Sequence, residues 1–308
     1  MAVLTRELTK SFGSLNAVNR LDLAVERGEM FGLVGPDGAG KSTTIRMLCG
    51  ILRPTSGQGQ VAGFDLINER TSLKRHIGYL SQNFTLYGDL TVDENIEFFA
   101  GIHGVGTFRK RRDELLEFTR LTPFRGRLAD ALSGGMKKKL ALACTLIHTP
   151  DIIFLDEPST GVDPVARGEF WSILSSILDS GVTVFMTTPY LDEAERCRRI
   201  SLMHQGRMVM TGPPSEIKQA MPGSTHDLYC ADASAAYRLL RAKLPATSLV
   251  LYGDHVRLWS DGEQSAREIA AWLGKDIKDV TLTKTDPSLE DAFVALLGTG
   301  QLKGGGHD

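Results

Sequence analysis

The chain has 308 residues, 42% of them apolar and 23% charged, with a formal net charge of −2. This profile excludes collagen-like and disordered classes, and the length allows one large core or two domains. The near-neutral charge supplies no global basic field for nucleic acid or an anionic membrane, so no nucleic-acid partner is expected.

Residues 3–8 and 21–25 alternate as strands do, and the short apolar run 30–34 is followed by glycine, which suits a buried strand. A glycine-rich turn comes next, then helical spacing over 41–52. Residues 61–64 and 77–80 read as short strands. Residues 92–103 and 110–119 have helical spacing, so a helical block interrupts the strand series. Alternation resumes with strand 152–155, helix 165–178 and strands 182–186 and 200–204. Strands alternating with helices predict an α/β fold whose sheet is covered on both faces.

The composition shifts near residues 221–223 and sets a domain boundary there: 1–222, then a smaller domain at 223–300 and a tail at 301–308 expected to be disordered. The smaller domain reads as strand 227–230, helix 234–243, strands 248–252 and 255–260, helix 262–273 and strand 280–284. That β-α-β-β-α-β order predicts a ferredoxin-like α+β unit. A last helix covers 288–297. The run Arg109, Lys110, Arg111, Arg112 opens a helix and is expected to be a solvated face. Trp171, Trp259 and Trp272 read as packing residues. No short-period repeat is evident.

Four cysteines (Cys49, Cys144, Cys197 and Cys230) form no C-x-x-C pair, and reduced thiols in a cytosolic protein are expected. The first ten residues hold no apolar run of signal-peptide length. No stretch approaches the roughly 18 apolar residues of a membrane span, so any spanning part is expected on another chain.

Gly35, Pro36, Asp37, Gly38, Ala39, Gly40, Lys41 and Ser42 fit the phosphate-loop pattern G-x-x-x-x-G-K-[ST], with a strand before and a helix after. Glycines let backbone N–H groups curl around phosphate oxygens without a Cβ in the way. The helix start adds unsatisfied N–H groups and the positive end of its dipole. Lys41 supplies a charge for the β- and γ-phosphates of ATP and the Ser42 hydroxyl is placed to ligate Mg²⁺; Thr43, next in the chain, is expected among the nucleotide-binding residues. A chance glycine-rich turn would not carry all of these.

Residues 152–155 are apolar and are followed by Asp156 and Glu157. A buried strand that stops on two acids puts them at the carboxyl edge of the sheet, where open α/β sheets bind ligands. Asp156 can hold Mg²⁺ directly or through water, and Glu157 can orient or deprotonate an attacking water. Taken alone, the pair would read as two solvated acids before Pro158. Leu132, Ser133, Gly134, Gly135 and Met136 precede the basic helix start Lys137, Lys138, Lys139. A serine and two glycines at a helix start make a second anion site, or simply an N-cap with a charged face.

In this order the motifs resemble the nucleotide-binding domain of ABC ATPases, a P-loop NTPase with a helical signature subdomain, over residues 3–216. The resemblance implies that Ser133, Gly134 and Gly135 of one cassette cap ATP held in the phosphate loop of another. It implies that Phe12 stacks on adenine, that Gln82 touches Mg²⁺ and senses a membrane partner, and that Asp163 sits across the dimer interface. Their plain alternatives are a core ring, a surface polar residue and an N-cap ahead of Pro164. The implied partners are a second cassette, identical or heterologous, and an integral membrane permease docked near residues 84–99. The implied place is the cytoplasmic face of the plasma (inner) membrane.

Within the family the drug-exporter branch is the nearest likeness. It rests on Gly32 to Gly35, Thr91 to Asn95, Tyr190 to Glu195 and Pro287 to Phe293. The loop with Asp37 resembles the first cassette of tandem exporters. The family usually has Thr-Thr-His where this chain has Thr187, Thr188 and Pro189. Proline lacks both a side-chain donor and an N–H. Slow hydrolysis at this phosphate loop is therefore expected, with a histidine-containing partner cassette as its complement.

Overall fold

A computed structural model describes residues 1–83, 86–221, 223–244, 249–260 and 263–298. The chain divides into two compact units, Met1–Met208 and the residues from Val209 onward. The division lies N-terminal to the composition shift. The expected tail, 301–308, lies outside the described residues, as do the first residues of two expected elements, Ser248 and Gly262.

The first unit opens with an antiparallel hairpin, β1 (Val3–Phe12) and β2 (Leu15–Val25), in register Val3 to Val25. Strand β4 (Ser56–Val61) pairs antiparallel with the other side of β1, and β5 (Phe64–Asp65) closes the sheet. The strand expected at 61–64 is instead a reversal: Ala62 and Gly63 take φ of +53° and +90° and turn β4 into β5. Strand β4 has the sequence SGQGQV, poor in β-formers; its pairing with β1 makes it a strand.

Strands β3 (Met30–Val34), β6 (Ile77–Leu80), β7 (Ile152–Asp156), β8 (Thr183–Thr188) and β9 (Arg199–His204) form the second sheet. Their order is β9-β3-β8-β7-β6, every neighbouring pair is parallel, and β10 (Arg207–Gly212) flanks β9. Strands β3, β7 and β8 are buried at every residue, as a sheet covered on both faces requires. Parallel pairing brings the carboxyl ends of β3, β6, β7 and β8 to one edge, with Val34 beside Thr188, Asp156 beside Thr187 and Leu80 beside Leu155.

Helix α1 (Lys41–Leu48) packs on β7 and β8. It stops four residues short of the expected end, because Gly50 turns left-handed at φ +64°. Helix α2 (Arg70–His76) links β5 to β6. A helical block follows: α3 (Val92–Ile102), α4 (Phe108–Phe118) and α5 (Gly134–Leu146) pack on one another. Thr91 and Glu94 close a capping box at the start of α3. The basic run on α4 is not uniformly solvated. The Arg112 side chain is only 15% exposed and pairs with Asp93 at 3.4 Å, while Arg125 joins Asp93 to Asp113. Helices α6 (Pro164–Asp179) and α7 (Leu191–Ala194) pack on β8.

The second unit begins in β10 and continues through α8 (Pro214–Gln219). Strand β11 (Ser224–Tyr229), α9 (Ala233–Arg241), β12 (Leu249–Leu251), β13 (His255–Ser260), α10 (Glu263–Leu273) and β14 (Thr281–Thr285) follow. The sheet order is β12-β13-β11-β14, with every neighbouring pair antiparallel, which is the split β-α-β arrangement expected from the sequence. Helices α9 and α10 pack against a core of Leu228, Leu240, Val256, Leu258 and Leu273, and α11 (Leu289–Gly298) packs on α8. No helix among the described residues is long and apolar enough to cross a membrane.

Candidate functional site

The carboxyl edge of the parallel sheet opens into a cavity of about 860 Å³. Its floor is the loop from Asp37 to Gly40 and the first turn of α1, Lys41, Ser42 and Thr43. Gly38 and Gly40 take φ of +76° and +107°, and no side chain caps α1, so its first amides are free to meet an anion. A Cβ on Gly35 would lie 2.2 Å from the Met203 carbonyl oxygen, and one on Gly40 would lie 2.3 Å from that of Ala17. A Cβ on Gly38 meets nothing within 4 Å. Gly35→Ala is therefore expected to cost about 2 kcal/mol, roughly 5 °C in thermal midpoint, through overpacking against backbone. Gly38→Ala should cost nearer 1 kcal/mol, from its left-handed backbone alone. Thermal unfolding of the two variants side by side checks this ranking.

Lys41 turns back into the loop. Its Nζ donates to the carbonyl oxygens of Gly35 at 2.8 Å and Pro36 at 3.1 Å, and pairs with Glu157 Oε1 at 3.2 Å. Lys41 and Glu157 are both buried. Glu157 Oε2 accepts from Gln82 Nε2 at 3.0 Å. The carboxylate is thus held by a lysine and a glutamine. Glu157 itself takes φ +49°, a left-handed backbone fixed by its N–H bonds to the Thr187 carbonyl and hydroxyl, each at 3.1 Å.

Asp156 ends β7 one residue earlier. Its Oδ1 accepts from Ser42 Oγ at 3.0 Å and from Thr187 Oγ1 at 2.7 Å, whereas Oδ2 is buried with no partner. An unpaired carboxylate oxygen beside a serine hydroxyl is a donor set that fits a hard divalent cation. The described residues contain no cluster of three or more His, Cys, Asp or Glu side chains able to hold a metal. Phosphate oxygens and water would have to complete such a site.

Phe12 is 51% exposed and lines the mouth with Leu15, Asn16 and Ala17 from the β1–β2 hairpin, so it is not a core ring. Lys10 Nζ lies 5.1 Å from its centroid. Gln82 is no idle surface residue either, since it reaches Glu157. Its carbonyl accepts from Lys138 Nζ at 3.3 Å. Pro189 lines the cavity beside Tyr190, and the His204 side chain, at the end of β9, is not among the lining.

Ser133, Gly134, Gly135 and Asp163 do not line this cavity. Ser133 N-caps α5 and accepts from Met136 N at 3.3 Å. Asp163 N-caps α6 and accepts from Val165 N at 3.1 Å and Ala166 N at 3.0 Å. The two helix starts adjoin, for a Cβ on Gly135 would lie 2.6 Å from Ala166 Cβ. Ser133, Gly134 and Asp163 are exposed there, with Val165 76% exposed beside them.

No site role was read from the sequence for Thr160, Tyr190, Gln205 and Gly206, which also line the cavity, or for Thr187, whose hydroxyl donates to the Asp156 carboxylate and accepts from the Glu157 N–H. Two threonines ending an apolar strand were a usable signal for Thr187. Gly206 joins the site only through tertiary bonds, its N–H to the Ala39 carbonyl at 2.9 Å. Burial pushes the thiols of Cys49, Cys144 and Cys197 up, that of Cys197 to about 12, so they are inert packing groups.

Comparison with known proteins agrees with this geometry. The family profile "ABC transporter" matches residues 18–160. The probable multidrug ABC transporter ATP-binding protein YbhF of Escherichia coli (strain K12) is 47% identical over 215 residues, covering 69% of this chain but 37% of that protein. The daunorubicin/doxorubicin resistance ATP-binding protein DrrA of Streptomyces peucetius is 36% identical over 306 residues, 96% of this chain and 92% of that one. Among solved structures, an ATP-binding subunit of an ABC transporter matches with TM-score 0.65 and 28% identity over 71% of this chain and 92% of that one. A dimeric ATP-binding cassette bound to ADP and Pi matches with TM-score 0.63 and 26% identity over 68% of this chain and 98% of that one. A phosphate loop, an acidic strand end and a serine-glycine helix start stand on the scaffold these relatives share, and the chain belongs to the family of ABC transporter ATP-binding proteins.

Proposed function

We propose that this chain binds and hydrolyses ATP as the motor subunit of an ABC-type exporter, pairing with a second cassette to drive a separate membrane permease. The observation that carries the reading is the division of the motifs. Lys41, Ser42, Gln82 and Glu157 share one cavity, while Ser133, Gly134 and Asp163 lie exposed outside it. A site so divided is complete only when a second cassette presents its serine-glycine helix start. The domain division for this role is 1–222 for the cassette and 223–300 for an accessory domain.

The phosphates of ATP would take Lys41 from Glu157, because a polyanion outcompetes one carboxylate for the lysine. Phe12 would stack on the base, and the amides at the start of α1, from Lys41 to Thr43, would hold the phosphate chain. Ser42, Asp156 and Gln82 would hold Mg²⁺, which supplies charge neutralisation at the phosphates when bound. Glu157, released from Lys41, would accept a proton from the water that attacks the γ-phosphorus. Asp163 and the Ser133–Gly135 start would serve the partner's nucleotide.

The permease contact rests on exposed apolar side chains that follow Gln82 in the chain. Tyr87, Phe98 and Ile102 are 44%, 38% and 61% exposed, and the Tyr87 and Phe98 rings meet edge-on at 4.4 Å. This supports docking around residues 84–99, of which 84 and 85 lie outside the described residues. The chain would then work at the cytoplasmic face of the plasma (inner) membrane. The names of its relatives point to drugs or other small molecules as cargo.

Size-exclusion chromatography with and without Mg-ATP, alongside steady-state phosphate release, tests the reading. ATP-dependent dimers, formed with this chain or a second cassette, are expected together with measurable turnover. A chain that binds ATP yet stays monomeric beside every cassette encoded with it would overturn the proposal. A regulatory cassette of low turnover is the second reading, and Pro189 alone favours it.

A further inference from the structure

Glu193 is a fully buried carboxylate outside the phosphate loop, 1% exposed, and none of the roles above uses it. It lies on α7, beneath the two loops that carry the reacting side of the cavity. One oxygen, Oε1, accepts from Ser159 Oγ. The other, Oε2, accepts from Thr188 Oγ1 at 2.7 Å. Ser159 and Thr188 are themselves buried.

Each loop is tied by its own hydrogen bonds on its side of this bridge. After β7, Thr160 N donates to the Glu157 carbonyl at 3.3 Å and Val162 N to that of Ser159 at 3.1 Å, so Ser159 sits inside the turn that carries Glu157. After β8, Tyr190 N donates to Thr188 Oγ1 at 3.0 Å, which fixes the turn of Pro189 and Tyr190. Glu157 and Thr160 from one loop, and Pro189 and Tyr190 from the other, face the same cavity. Arg167, the nearest cation to Glu193, stands 3.9 Å from Oε1 and lies 5.5 Å from the Tyr190 ring centroid.

A buried carboxylate costs free energy that one cation at 3.9 Å does not return. Two serine or threonine hydroxyls could be satisfied by neutral partners. What the Glu193 side chain adds is two polar atoms at a fixed spacing, each hydrogen-bonded to a different loop. We infer that Glu193 is a positioning residue: it holds the Glu157 turn and the Pro189–Tyr190 turn in one register, and it thereby sets turnover rather than nucleotide affinity. The inference rests on the hydrolytic reading above. It matters here because Pro189 offers no donor of its own, leaving the reacting side to be shaped by the clamp and the backbone.

The test is Glu193→Ala beside Glu193→Gln, read by steady-state ATPase, by binding of a fluorescent ATP analogue and by amide hydrogen exchange. For Glu193→Ala, kcat is expected to fall about 30-fold, within the range that a misplaced catalytic group produces. KM and analogue affinity should change less than about threefold, because Lys41 and the loop amides are untouched. Exchange should quicken over residues 157–163 and 188–191 and stay unchanged in α1 and α5. Glu193→Gln keeps two polar contacts, since hydroxyls accept as well as donate, and should retain most of the turnover. Ser159→Ala with Thr188→Val should reproduce the loss, with no further loss on adding Glu193→Ala. An unchanged kcat in Glu193→Ala would overturn the clamp. So would a Gln variant as poor as the Ala variant, or a loss of analogue binding equal to the loss of turnover. If the wild-type chain proves to bind ATP without hydrolysing it, the hydrolytic reading falls, and exchange confined to the two turns still decides for or against the clamp.

Discussion

Replacing Pro189 by histidine is expected to raise steady-state ATP hydrolysis about 100-fold, the size of effect that one charge-stabilising donor carries at a reacting phosphate or carbonyl. Pro189 lines the cavity one residue beyond Thr188, which pairs with Val34 at the end of β3. The Gly35 N–H donates to the Thr188 carbonyl at 3.4 Å, so the turn after β8 lies against the start of the phosphate loop. A side chain at 189 would therefore face the γ-phosphate of an ATP held in the loop, and proline offers neither a side-chain donor nor an N–H there. A histidine would add both. Phosphate release from the variant and the wild type, at matched saturation with ATP, gives the comparison. Unchanged turnover with intact ATP binding would overturn the expectation that Pro189 slows this site.

The second large effect concerns Glu157. Glu157→Gln is expected to lower turnover by 100-fold or more, as loss of a general base does, while tightening ATP binding. The second half of that statement follows from the geometry. In the structure Lys41 is engaged by Glu157 at 3.2 Å and by two loop carbonyls, and the carboxylate is also engaged by Gln82. ATP must displace the Lys41–Glu157 pair before its phosphates can take the lysine. A glutamine leaves Lys41 with only neutral acceptors, so phosphate competes with less. The variant should show a lower midpoint than wild type without nucleotide, a larger upward shift with Mg-ATP, and accumulation of the ATP-bound dimer. Calorimetry or thermal unfolding across an ATP series measures this. Equal thermal shifts in both proteins would show that the pair does not oppose nucleotide.

Much of the scaffold was legible because its signals are local. The central strands β3 and β6 fall on the residues that their apolar runs marked, and β7 and β8 run only one or two residues beyond. The second unit was legible for the same reason, down to a sheet order that the β-α-β-β-α-β succession allows in few ways. What was missed lacked a local signal. Strand β4 is made of serine, glycine and glutamine and exists by pairing with β1. Arg112 reads as one charge in a basic run, yet it is mostly buried because Asp93 of α3 lies beside it.

The sequence by itself determined the chemistry of the site. Glycines, a lysine and a serine at fixed spacing, two acids closing an apolar strand, and a proline at position 189 can each be read from residue type, because each role depends on side-chain chemistry and local backbone freedom. Only the tertiary structure decided how these groups restrain one another. Parallel pairing set Asp156 beside Thr187 and Val34 beside Thr188, although these residues are far apart in the chain. It thereby created contacts that no spacing announces: Lys41 on Glu157, Thr187 on Asp156, and Glu193 beneath both loops. Such contacts follow from strand order and register, which depend on the burial of the whole sheet rather than on any one segment of it.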